Sequence, residues 1–133
     1  MCRENKALVR SYYEHLNTTQ DYRAASQLVS ADFIDHADTS NRIRGIEGLA
    51  MWLRYLYRAF PDLKAEIEDI VAEGDRVVTR NLWRGTHRGS FLGIAPSGRT
   101  TEFQGILIWR IQDYKLAERW AVIDRFGLVQ KLS

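Results

Sequence analysis

The sequence predicts an α+β fold, with helices gathered at the start of the chain and an antiparallel sheet after them. Three observations predict it. Apolar residues recur with a helical period before Pro61 and with the two-residue period of strands after it. Pro61 cannot continue a helix, so it marks the change. The second half also carries short turn signals, Glu73-Gly74-Asp75-Arg76 and Gln112-Asp113-Tyr114-Lys115, of the kind that join antiparallel neighbours. This order packs helices on one side of a curved sheet, and the hollow between them is where a small ligand binds.

Residues 4 to 17 place Leu8, Val9, Tyr12, Tyr13 and Leu16 on one helical face. Asp21 is positioned to cap a second short helix running through Leu28 and Val29. Residues 32 to 36 read as a short extended piece, with Phe33 and Asp35 on one face and Ile34 and His36 on the other. Residues 37 to 45 are polar and loop-like. A third helix, from about Ile46 to Phe60, buries Leu49, Leu53, Leu56, Tyr57 and Phe60. Strands follow over Leu63 to Ala72, Val77 to Arg84, Arg99 to Ile111 and Leu116 to Asp124. The final residues, Phe126 to Leu132, form a short tail with Leu128, Val129 and Leu132 available for packing.

At 133 residues the chain is one domain, residues 1–133, large enough for a core and a modest pocket. A hydrophobic share of 45% and a charged share of 27% are ordinary for a globular protein. A formal charge of +2, with scattered arginines, gives no footprint for nucleic acid. One cysteine, Cys2, excludes an internal disulfide and a paired-cysteine metal site. Histidines at 15, 36 and 87 have no metal-ligand spacing. No stretch is apolar for long enough to span a membrane, and the charged N-terminus lacks a signal-peptide core. The expected location is the cytoplasm.

Asp124 is the leading candidate for chemistry. It shares a strand face with Trp120 and Val122, and a carboxylate in such company is costly unless paired, solvated or functional. The plain alternative is a strand-end carboxylate bonded to Arg125 or a backbone N–H. His36 is the candidate partner, because imidazole and carboxylate together can move protons near neutrality. On Val77 to Arg84 the odd face is read as inward, since the even face would bury Arg80 and Arg84. Thr79, Asn81 and Trp83 then line the cavity, with Asn81 a possible oxyanion donor. Trp120, Val122, Phe33, Tyr13, Phe91 and Trp109 complete the expected ligand-contacting set. His87 is read as structural, bonding its own glycine-rich loop, and His15 as facing solvent.

Six segments together resemble the SnoaL-like polyketide cyclases: Phe33-Ile-Asp-His36, Phe60-Pro-Asp-Leu63, Val71 to Val77, Gly85 to Gly93, Pro96-Ser-Gly-Arg99, and Glu118-Arg-Trp120 with Asp124. The resemblance implies a cone-shaped α+β barrel, also found in nuclear transport factor 2 and ketosteroid isomerase. It implies homodimers or homotetramers built through the outer sheet face. It implies a reaction without metal or cofactor, intramolecular aldol-type ring closure of a hydrophobic carbonyl compound. Asp124 would be its acid–base group and His36 would sit in the pocket. An isomerase or hydrolase, or a binding or dimerisation module without catalysis, is the alternative. Two departures stand out: Leu107 where cyclases often carry a polar residue such as histidine, and polar Asn81 where relatives are often apolar.

Overall fold

The computed structural model describes residues 2–20, 22–36 and 43–133. The expected cap at Asp21 and residues 37–42 of the expected loop lie outside that set. The elements are α1 (Cys2–Thr19), α2 (Tyr22–Ser26), β1 (Val29–Asp35), β2 (Ile43–Arg44), α3 (Gly45–Ala59), β3 (Lys64–Glu73), β4 (Arg76–Thr86), β5 (Thr100–Gln112), β6 (Lys115–Ile123) and α4 (Arg125–Leu132). The strands form one unclosed sheet in the order β2-β1-β6-β5-β4-β3. It is an α+β cone, with helices packed against the concave side. β3 to β6 are the expected antiparallel meander, and β1 adds to its free edge parallel to β6.

The direction of each face follows from charge. On β4 and β5 the odd residues point inward, and Val77, Thr79, Asn81, Trp83, Phe103, Leu107 and Trp109 are all buried. The even residues point out, where Arg80 pairs with Glu68 and Asp69 at 2.7 Å each and Arg84 with Glu102 at 2.9 Å. Reversing the face would bury those guanidinium groups without solvent, at a cost of several kcal/mol each, so it loses. A register shift after Arg110 lets both Leu116 and Ala117 be buried at the start of β6. Beyond that point the inward residues of β6 are Arg119, Ala121 and Ile123, not Trp120 and Val122.

α1 closes the cone with Val9, Tyr12, Tyr13 and Leu16, and α3 with Leu49, Leu53 and Ala59, the apolar stripes the periodicity indicates. Two elements differ from expectation. Val29 opens β1 instead of ending a helix, because Leu116 donates its N–H to the Leu28 carbonyl and draws that segment onto the sheet edge. The C-terminal tail is a helix. Asp124 caps it, accepting from the Gly127 N–H at 2.9 Å, and Leu128 and Leu132 are buried beneath it.

The connection between β4 and β5 is fastened to α3. Arg88 and Gly89 both donate N–H groups to the Ala59 carbonyl, at 2.9 and 3.2 Å, which caps the end of that helix. Glycine is required at 89, since a Cβ there would stand 2.2 Å from the Arg58 carbonyl oxygen. His87 is fully buried and accepts the Ser97 N–H at Nδ1 (3.1 Å), the structural role read for it. A tight turn through Leu92 and Gly93, both at positive φ, is held where Leu92 donates its N–H to the Tyr55 hydroxyl at 2.9 Å. The turn presents Phe91 and Leu92 to the open end of the cone.

Candidate functional site

The cone encloses a cavity of about 130 Å³. Its lining is mostly aromatic and aliphatic: Trp52, Leu53, Leu56 and Tyr57 from α3, Tyr12, Tyr13 and Leu16 from α1, and Trp83, Phe103 and Leu107 from the sheet. Phe91, which is buried, and Leu92 and Arg125, both exposed, complete the lining, and the last two mark where it opens to solvent. That volume is of the order of an engineered cavity of about 150 Å³ that takes benzene. It therefore encloses one ring, with the rest of a longer ligand at the mouth.

One charged group reaches this apolar interior from the wall. Arg119 lines the cavity and is 8% exposed. It is opposed by Asp35, which is 1% exposed. The parallel register of β1 and β6 sets Asp35 directly against Arg119. Both Nε, at 3.1 Å, and Nη2 of the guanidinium donate to one Asp35 oxygen. The guanidinium also lies over the Trp109 ring, 5.1 Å from its centre. Burial opposes the Arg119 charge, but the facing Asp35 carboxylate outweighs it and holds the group firmly protonated.

Tyrosines surround this pair. Burial pushes the Tyr12, Tyr13 and Tyr57 hydroxyls well above the ordinary phenol value, with Arg119 drawing Tyr12 and Tyr13 partly back. These phenols are neutral proton donors at physiological pH. The Tyr13 hydroxyl stands close enough to Asn81 and Arg119 for both to act on its acidity, yet meets hydrogen-bond geometry with neither. Both polar atoms of the Asn81 side chain also lack a partner among the described residues. A buried polar group left unmet costs about 1–3 kcal/mol, and of these two residues only Tyr13 lines the cavity, where a ligand can meet it.

The expected site residues divide three ways. Tyr13, Trp83 and Phe91 line the cavity. Phe33, Asn81 and Trp109 are fully buried behind its wall. Trp120, Val122, Asp124 and His36 lie elsewhere, and the inward reading of that set is corrected here. Val122 is 80% exposed on the outer sheet face. Asp124 is exposed and is committed to the Gly127 N–H, the plain alternative recognised from the sequence. His36 is on the outer face, with Nε2 2.7 Å from Glu118 and its ring stacked on Trp120. The cause is the bulge in β6, which fixes the face that every later residue takes.

Asp35, Arg119 and Tyr57 were not recognised as site residues. The signal was present: Asp35 shares a strand face with Phe33, and Arg119 shares one with Ala121 and Ile123. Facing Arg119 within the cavity wall, Leu107 and Ala121 pair across β5 and β6 and bring no titratable group.

A SnoaL-like polyketide cyclase family model matches residues 6–132, and the chain belongs to that family. No functionally curated protein matches it in sequence. Among solved structures it is similar to AclR, a candidate hydroxylase from Streptomyces galilaeus, at 29% identity and a TM-score of 0.88 over 99% of this chain and 86% of that one. TsrD from Streptomyces laurentii is 30% identical, with a TM-score of 0.84 and 96% of each chain covered. IdmH from Streptomyces antibioticus, a candidate polyketide cyclase, is 28% identical, with a TM-score of 0.84 over 96% of this chain and 97% of that one.

Two measurements check this geometry. Asp35→Leu and Arg119→Leu should each cost about 3–5 kcal/mol in urea unfolding, because each strands a buried charge, whereas the double variant should recover much of the loss. Additive costs would show that the two charges are not coupled. Glu118 is held below the ordinary carboxylate value by the His36 hydrogen bond and then by Arg110. A carboxyl lowered in the folded state stabilises above its unfolded value and loses that contribution as pH falls through the folded one. The wild type should therefore lose stability below about pH 4.5 more steeply than Glu118→Gln.

Proposed function

We propose that the chain binds a hydrophobic, carbonyl-bearing small molecule in the cone and promotes aldol-type ring closure within it. The observation that carries this reading is Arg119, a guanidinium fixed by Asp35 in an apolar cavity beside a Tyr13 hydroxyl that has no hydrogen-bond partner among the described residues. A carbonyl oxygen placed there would accept from both. Charge developing on that oxygen would be stabilised by donors already in position, which needs no reorganisation during reaction.

The chemistry balances without a carboxylate base. The enol carbon of a dicarbonyl substrate attacks the second carbonyl carbon, so one carbon–carbon bond forms as the second carbonyl's π bond breaks. Tyr13 gives its proton to the new alkoxide and takes the enol proton in return, ending as it began. Burial raises the Tyr13 pKa, so the phenol is neutral and carries its proton between turnovers. Arg119 remains charged throughout and acts electrostatically. The family membership and the candidate cyclase IdmH support this substrate class. The acid–base role that resemblance assigned to Asp124 and His36 is thereby moved to the floor of the cavity.

The Leu107 and Ala121 wall favours a second reading, in which the same ligand is held and not converted. Benzoylacetone, one ring with a 1,3-diketone, tests the shared premise. Its enolate absorption should appear about one pH unit lower in the presence of wild-type protein, equivalent to about 1.4 kcal/mol of preference for the anion. Tyr13→Phe should remove much of that shift. Asp124→Ala should keep it while losing about 1 kcal/mol of stability from its helix cap. Binding with no shift in the wild type would leave only the holding role, and a shift lost in Asp124→Ala would return the chemistry to that residue.

The outer sheet face supports self-association. Val71, Ile106, Val122 and Phe126 are between 53% and 80% exposed there and at its edge. Light scattering should show a dimer or larger assembly, and Ile106→Glu with Val122→Glu should give a folded monomer. A monomeric wild type would remove this assignment.

A further inference from the structure

We infer that the ligand of this pocket is an acid: an apolar carbonyl compound that also carries a carboxylate, which Arg125 receives at the mouth. The inference rests on the pocket reading above and adds the charge of the substrate. Among the described residues that line the cavity, two are arginines, Arg119 and Arg125, and none is an aspartate, glutamate, lysine or histidine. The two cations are not equivalent. Arg119 is matched by Asp35, so a second carboxylate brought to that end would meet an anion already in place. The head of the ligand at Arg119 is therefore a neutral carbonyl.

Arg125 has no such match. It is exposed at the rim, and no described residue forms an ion pair or side-chain hydrogen bond with it. The adjacent carboxylate, Asp124, is held by the Gly127 N–H and lines the groove on the outer side of the sheet, not the interior. On that outer side Arg80 is already paired with Glu68 and Asp69. Arg119, Ala121 and Ile123 follow one another along a single inward face; β6 ends there, and Arg125, the first residue of α4, borders both the interior cavity and the outer groove. Arg119 and Ile123 are about 13 Å apart along the strand, at about 3.3 Å per residue. The ligand thus has a carbonyl at one end, an apolar stretch against Ala121 and Ile123, and a carboxylate at the other.

The test compares 12-oxo-12-phenyldodecanoic acid, whose chain spans that length, with its methyl ester. These differ in charge and share ring, ketone and chain. Binding is read by quenching of tryptophan fluorescence, since Trp52 and Trp83 line the cavity, and its location by displacement with benzoylacetone. The acid should bind about fivefold tighter than the ester at low salt, as expected for a partly exposed ion pair. The preference should fade toward one in about 1 M salt. Arg125→Gln should bring the affinities of acid and ester together, and Arg125→Lys should keep the preference. Equal affinities in the wild type, or a preference that survives in Arg125→Gln, would overturn the charge assignment and leave the pocket reading standing. Failure of both compounds to bind, or binding that benzoylacetone does not displace, would overturn both.

Discussion

The Asp35–Arg119 pair is the constraint on which the interior depends. Two charges inside an apolar cone are tolerable only when they meet directly, because each alone would carry a desolvation penalty of several kcal/mol. Their meeting fixes the parallel register of β1 on β6, since Asp35 and Arg119 are themselves register partners. It also fixes which face of β6 looks inward. Once Arg119 points into the cone, Ala121 and Ile123 follow, and Trp120 and Val122 face out. The pair contributes little net stability for what it costs to bury. Its consequence is a cation held still in a dry pocket, ringed by tyrosine hydroxyls that burial keeps neutral.

The same β6 strand thus serves two environments. Its inner residues build a small apolar chamber with one charge. Its outer residues belong to a polar and aromatic patch, in which Glu118 bonds both His36 and Arg110 at 2.7 Å and Arg76 lies 4.8 Å from the Trp120 ring centre. Groups that look catalytic in a list, a histidine beside a carboxylate, are here holding a sheet face together. The less conspicuous arginine is the one that meets the cavity.

Much of the fold was legible because it rests on local signals. The apolar stripes of α1 and α3, the stop at Pro61 and the alternation of β4 and β5 are short-range patterns. The inward face of β4 followed from the cost of burying Arg80 and Arg84. Legibility ended at β6. Its alternation identified two faces correctly, but both faces carry aromatic or aliphatic residues and both carry charge, so local chemistry did not choose between them. The tail was opaque for a similar reason: Gly127 weakens any helical reading, and its stabilising cap comes from Asp124, which had been placed in the pocket.

The sequence by itself determined the α+β order, the concave site, the structural role of His87 and the presence of Tyr13, Trp83 and Phe91 around the cavity. Each follows from periodicity, turn chemistry or the cost of a misplaced charge, which act over a few residues. Only the tertiary structure decided that Asp35 and Arg119 are partners, and that Asp124 and His36 are not. That pairing joins residues 84 positions apart through a parallel strand contact. A parallel contact leaves no local trace, because neither a turn nor a shared strand connects its two sides.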